Sequence, residues 1–343
     1  MPAFSPGLPA FGQLLMVGLP GPRLDPVARE LVRDLRVGGI ILFARNLEGP
    51  EQVWELTQNL QQEALAAAGK PLLIAVDQEG GPVQRLREPF TIIPKARELG
   101  LTATPQEVER LARQTARELA VVGINMNLAP VLDVARGPEC PLYERSYGSV
   151  PELVAAYGEA AIRGYAAGGV LPVAKHFPGL GDTLRDSHVE LPEAQGKDPA
   201  RKIDLIPFRR AIVAGVPAIM TAHLQVPEWD TRPGTLSPVA IQTWLRQNLG
   251  FAGVVMTDDL EMGAIAGRSP VPQAAREALA AGADLLLICQ KVDAAWKAAE
   301  LLAADEELLH RGEEAARRLG RLRERLKPSQ VSRQEVKDFF RLA

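Results

Sequence analysis

The chain has 343 residues, 46% hydrophobic and 24% charged, and its 39 basic against 42 acidic side chains leave a net charge of -3. That is the composition of a globular protein, and the near-balance of charge, with no basic stripe, weighs against a nucleic-acid partner. No apolar run is long enough to span a membrane, and the proline-interrupted N-terminus lacks the basic start of a secretory signal. In chain order, short apolar runs bounded by breakers alternate with longer helix-periodic segments. The predicted strands are 13–17, 39–43, 72–76, 126–131, 170–175, 218–222, 253–257 and 284–288. The predicted helices between them are 25–35, 51–67, 105–121, 151–166, 199–213, 237–249 and 271–281, with further helices from Ala294 onward.

Eight strand-helix units whose strands read as continuous apolar runs indicate a parallel sheet buried on both faces. The expected fold is α/β, a single-domain (β/α)8 TIM barrel over residues 1–343, with the barrel at about 12–303 and extra C-terminal helices at about 304–343 packed on its outside. A doubly wound sheet with a second domain is the competitor. No linker-like stretch divides the chain, however, and no G-x-G-x-x-G fingerprint follows the first strand. Cys140 and Cys289 lie far apart with no metal or redox spacing, which fits a cytoplasmic enzyme with free thiols.

In such a barrel the chemistry belongs to the loops at the C-terminal ends of the strands. Polar residues gather there: Asp77, Glu79 and Arg85 after the third strand, Asp133, Arg136 and Arg145 after the fourth, Lys175, His176, Asp182, Asp186 and His188 after the fifth, His223 after the sixth, and Asp258, Asp259 and Glu261 after the seventh. Three of the four histidines stand at these positions. Any one residue has a structural explanation, as a turn cap, a loop ion pair or a hydrogen-bonded core histidine. The placement of the whole set favours a site.

The segments VDQEGGPVQRL (76–86), APVLDV (129–134), ERSYG (144–148), KHFPGLGDT (175–183) with DSH (186–188), MTAH (220–223) and MTDDLEM (256–262) resemble the motif series of glycoside hydrolase family 3. The chain is most similar to the single-domain β-N-acetylglucosaminidases of that family. The resemblance implies a retaining exo-β-N-acetylglucosaminidase that cleaves terminal N-acetylglucosamine through a covalent glycosyl-enzyme, with muropeptides of cell-wall recycling as substrate. It implies Asp258 as nucleophile and His188 as acid/base, oriented by Asp186. Asp77, Arg85, Arg145, Lys175, His176 and, ranked lower, His223 would bind the sugar. Larger family members take an acid/base glutamate from a second domain; here the D-x-H pair stands in for it.

A carbohydrate substrate, no cofactor, no metal and a monomer are the corresponding expectations. Gly179 and Gly181 suggest a hinged loop that swings His188 toward the scissile bond. Leu180 stands where the family loop carries histidine, and Pro82 where arginine is common. Phosphate in place of water as the acceptor would make the enzyme a phosphorylase. Two unrelated readings use the same residues: a Schiff base on Lys175, or a divalent metal held by His176, Asp182, Asp186 and His188.

Overall fold

The computed structural model describes residues 7–195, 201–326 and 331–342. All eight expected strands form: β1 (Leu15–Gly18), β2 (Gly39–Leu42), β3 (Leu73–Val76), β4 (Met126–Asn127), β5 (Leu171–Phe177), β6 (Ala218–Thr221), β7 (Val254–Asp259) and β8 (Leu285–Ile288). They close into a parallel barrel in which each strand pairs with its neighbours in sequence and β1 pairs with both β2 and β8. In register, Met16 pairs with Gly39 and Val17 with Ile288. Apart from the last two residues of β7, every strand residue is buried, as a sheet wrapped by helices and filled from within requires. Gly18 is one place where packing dictates residue type, because a Cβ there would fall 2.0 Å from the Cys289 carbonyl oxygen.

The surrounding helices are α1 (Pro26–Arg33), α2 (Pro50–Ala68), α3 (Pro105–Val121), α4 (Pro151–Gly168), α5 (Lys202–Val213), α6 (Val239–Asn248, with π-type hydrogen bonding), α7 (Val271–Ala281) and α8 (Val292–Ala303). Local chemistry starts and stops them. Asp25 caps α1 through the Ala28 N–H, and Thr104 and Glu107 form a reciprocal capping box on α3. The expected helix 199–213 is seen from Lys202; Pro199 and Ala200 lie outside the described residues.

Two C-terminal helices, α9 (Leu309–Arg323) and α10 (Arg333–Phe340), lie against the barrel's outer layer as expected. The Trp54 indole N–H donates to the Val331 carbonyl at 2.9 Å, and Phe340 packs on Phe90 with ring centroids 4.6 Å apart. Several boundaries move, the most consequential being those of β4, β5 and β7. β4 is shorter than predicted and continues only as a single bridge from Val131 to Lys175. β5 and β7 run two residues further than predicted, so His176, Asp258 and Asp259 join Lys175 on strands and not on loops. The connection from β3 to α3 also carries a small hairpin, Gln78–Gly80 with Val83–Gln84, and a helix, Ala96–Thr102, that periodicity did not reveal.

Candidate active site

At the C-terminal mouth of the barrel, β5 and the connections after β3 and β4 bring five charged groups together. Lys175 Nζ lies 2.8 Å from Asp77 Oδ1 and 2.6 Å from Glu79 Oε1. Arg145 meets Glu79 in a two-pronged pair, Nε and Nη2 each 2.8 Å from a carboxylate oxygen. Arg85 stands 3.5 Å from the other oxygen of Asp77. Burial would raise the Glu79 carboxyl, but Lys175 and Arg145 outweigh it and bring its pKa down to about 2. Burial alone would lower the Lys175 pKa; Asp77 and then Glu79 reverse that and raise it. The result is a set of fixed charges whose remaining donors and acceptors can hold sugar hydroxyls.

His176, next on β5, is held by Asp133, whose Oδ2 accepts from ring Nδ1 at 2.7 Å while Oδ1 accepts the Leu180 N–H at 2.7 Å. One carboxylate thus fixes both a site histidine and the start of the loop that follows. That loop is anchored in its first half. Gly181 has a role of close approach and not of hinge, since a Cβ there would fall 1.9 Å from the Val134 carbonyl oxygen. The Arg136 N–H donates to the Gly181 carbonyl, and the buried Arg201 donates to the Gly179 carbonyl at 2.7 Å and to Asp182 at 2.9 Å. Leu180 packs with Cys140, Leu142 and Leu224 in a small apolar cluster beneath the loop, and Pro82 is exposed on the hairpin turn, off the pocket wall.

Beyond Thr183 the loop changes character: Leu184 and Val189 are 62% and 76% exposed. Here Asp186 Oδ1 accepts from both the His188 N–H at 2.9 Å and ring Nδ1 at 2.8 Å. Burial opposes, but these donors from His188 hold the Asp186 carboxyl below its ordinary pKa. The segment is seated on the β7 side by two backbone bonds, Gly263 N–H to His188 O at 3.1 Å and Ala264 N–H to Ser187 O at 3.2 Å.

Asp258 lies in the last pair of β7. Burial would raise its carboxyl; His176, the Asp259 N–H and Lys175 are among the groups that outweigh it, and its pKa is lowered. It is therefore an ionised carboxylate at neutral pH. Its neighbour Asp259 is pushed up to about 6, chiefly by burial.

Asp77, Arg85, Arg145, Lys175, His176, Asp186, His188 and Asp258 all face one cavity of about 280 Å³, with Glu79, Phe43, Leu142, Arg185 and Met262 among its other walls. Its size suits one small polar ligand. His223 is the exception. It is fully buried, does not line the cavity, and has both ring nitrogens engaged, Nδ1 with Thr235 Oγ1 at 2.8 Å and Nε2 with the Asp259 carbonyl at 2.9 Å. The expected sugar contact gives way to a supporting position under β7.

The metal alternative also loses its ligand set. Asp182 is turned into a buried network with Arg201, Arg136 and Asp204, and among the described residues no three His, Cys, Asp or Glu side chains are placed to hold an ion. Two residues of the site were noted in sequence but given no role there, Glu79 and Asp133. The signal for Glu79 was charge balance: Arg85, Arg145 and Lys175 meeting in one buried cluster need more than Asp77 to offset them.

A parallel barrel carrying an ionised strand-end carboxylate and an imidazole-carboxylate pair at its catalytic mouth has the parts of a glycoside hydrolase. The family comparison agrees. Residues 10–326 match the glycosyl hydrolase family 3 N terminal domain, and the chain belongs to that family. It is an enzyme, a glycoside hydrolase of the N-acetylhexosaminidase type. A β-hexosaminidase of Alkalilimnicola ehrlichii is 40% identical over 287 residues, covering 82% of this chain and 81% of the relative. The structure of a family 3 β-N-acetylglucosaminidase from Paenibacillus sp. superposes with a TM-score of 0.90 at 38% identity, covering 98% of this chain and 68% of the other. NagZ from Neisseria gonorrhoeae, solved with N-trifluoroacetyl-D-glucosamine, superposes at 0.82 and 32% identity, over 96% of this chain and 95% of the other.

Proposed function

We propose that this β-N-acetylglucosaminidase removes terminal, non-reducing β-linked N-acetylglucosamine by a retaining, two-step mechanism. Asp258 attacks the anomeric carbon as His188 gives its proton to the glycosidic oxygen, and the aglycone leaves as an alcohol. His188 then takes a proton from water, whose oxygen displaces Asp258 and restores the β configuration. Asp186 orients the imidazole and stabilises its protonated form. Asp77, Arg85, Arg145, Lys175 and His176 hold the terminal sugar.

The observation that carries this reading is the placement of Asp258 and the Asp186–His188 pair on the walls of one cavity, from opposite structural origins. The nucleophile is fixed at a strand end, while the proton donor stands on the exposed half of a loop that can follow the leaving group. Both groups belong to one chain, so residues 1–343 serve as a single catalytic domain and a monomer suffices. Muropeptide fragments of cell-wall recycling, in the cytoplasm, are the proposed substrates. Among the described residues no helix is long and apolar enough to cross a membrane.

The test compares aryl β-N-acetylglucosaminide with aryl β-glucoside as substrates for the wild type, Asp258→Ala and His188→Ala. Asp258→Ala is expected to form no covalent adduct by mass spectrometry. His188→Ala should lose about 10²- to 10⁴-fold in rate, more with poor leaving groups than with good ones. Full activity in Asp258→Ala would sink the assignment.

A further inference from the structure

The engaged ring of His223 has a direction. Asp259 meets Nε2 with a carbonyl oxygen at 2.9 Å, and a carbonyl only accepts, so Nε2 carries the proton. Burial disfavours the charged ring and lowers its pKa, so the imidazole is neutral and Nδ1 is an acceptor. The Thr235 hydroxyl lies 2.8 Å from Nδ1 and 3.1 Å from the Ala222 carbonyl; it donates to Nδ1, the nearer acceptor, and its own oxygen accepts from Thr221 Oγ1 at 3.0 Å. Three side chains with no exposure thus form a one-way chain, Thr221 to Thr235 to His223, that ends on the backbone of Asp259.

Asp259 is held at other points as well. Its Oδ1 accepts the Glu261 N–H at 3.1 Å and the Cys289 N–H at 3.3 Å. Its own N–H donates to Asp258 Oδ1 at 2.8 Å. The residue after the nucleophile is therefore clamped at its carbonyl and its carboxylate, and it uses its amide to tie off one oxygen of Asp258. The other oxygen is left as the attacking atom.

We propose that His223 and Thr235 are positioning residues for nucleophilic attack: by fixing the Asp259 peptide they set the rotation of the Asp258 carboxylate, without contacting the sugar. This rests on Asp258 being the nucleophile. Attack on an anomeric carbon depends steeply on alignment, and a shift on the order of 1 Å costs about 10²-fold in rate. The loss should therefore fall on formation of the glycosyl-enzyme, with substrate affinity preserved.

Glutamine and asparagine separate this role from mere packing. The amide of His223→Gln reaches about as far as Nε2 and can still donate to the Asp259 carbonyl; the shorter His223→Asn cannot. His223→Asn is expected to lower kcat about 10- to 100-fold with KM within about 2-fold, and His223→Gln to recover most of that loss. Thr235→Val, which removes the donor to Nδ1, should behave like His223→Asn, and Thr235→Ser like the wild type. Thermal melting checks folding, and the Thr235 pair decides the matter should His223→Asn fail to fold. Equal losses in the Gln and Asn variants, or an effect on KM alone, would overturn the proposal. Unchanged kcat in His223→Asn beside an inactive Asp258→Ala would overturn this inference alone. An active Asp258→Ala would overturn the nucleophile reading, and this inference with it.

Discussion

Glu79→Gln removes one negative charge from the cluster that faces the sugar and keeps its size. In the wild type that carboxylate serves Lys175 at 2.6 Å and Arg145 at 2.8 Å, and its side chain is only 6% exposed. Its pKa of about 2, against 4.5 for an unperturbed glutamate, is a difference of about 2.5 units, or roughly 3 kcal/mol. Breaking a buried pair by removing one partner costs about 3–5 kcal/mol, which is the same size. Because the folded-state pKa is depressed, this stabilisation is complete above about pH 4.5 and is lost as pH falls toward 2. At neutral pH the variant should therefore melt roughly 5 °C below the wild type. Between pH 4.5 and 2 the gap should close, since the wild type loses there what the variant already lacks. Melting curves across that range test this, with KM for the aryl glycoside as a second readout that should rise as Lys175 and Arg145 lose their shared anchor. Equal melting temperatures at pH 7, or a gap unchanged at pH 2, would refute the reasoning.

Two further perturbations address the loop. Asp186→Asn keeps a partner for the His188 ring but removes the charge that favours its protonated form, and should slow hydrolysis of glycosides with poor leaving groups by about 10²-fold while sparing activated aryl glycosides; equal losses for both would count against the role. Arg201→Met withdraws the buried donor to Asp182 and the Gly179 carbonyl and takes one of the two arginines from the Asp182 and Asp204 carboxylates. It should destabilise the fold by about 3 kcal/mol, and hydrogen exchange at residues 179–183 should accelerate; unchanged protection there would show that the loop is held by other contacts.

The fold was legible because it rests on local signals. Eight apolar runs between glycine, proline and aspartate breakers mark the strands whatever their neighbours, and the longer periodic segments between them leave a parallel barrel as the economical closure. Where strands stop is less local. β5 and β7 extend past Lys175 and Thr257, through His176, Asp258 and Asp259, because partners on the adjacent strands, Thr221 for Phe177 and Leu287 for Asp259, continue the ladder past the apolar run.

The chemical inventory was legible too: Asp258 at a strand end, and Asp186 two residues from His188, which is close enough to pair within one turn. The sequence alone thus determined the barrel, the end of it that carries chemistry, and most of the residues found there. Tertiary structure decided which of them face the cavity and which support it. Glu79 acquires its role from Arg145, 66 positions away, and Asp133 from His176, 43 positions away. Asp182 turns from the cavity to a buried Arg201. Gly179 and Gly181, which in sequence look like hinges, are required by neighbouring chain packed too closely for a Cβ, that of Asp204 and of Val134. His223, from the same strand-end position as the sugar-facing residues, is turned inward to a carbonyl and a hydroxyl that only the closed barrel supplies. Strand period fixes which side of a sheet a residue faces, but whether its polar atoms meet substrate or protein depends on partners the chain brings from elsewhere.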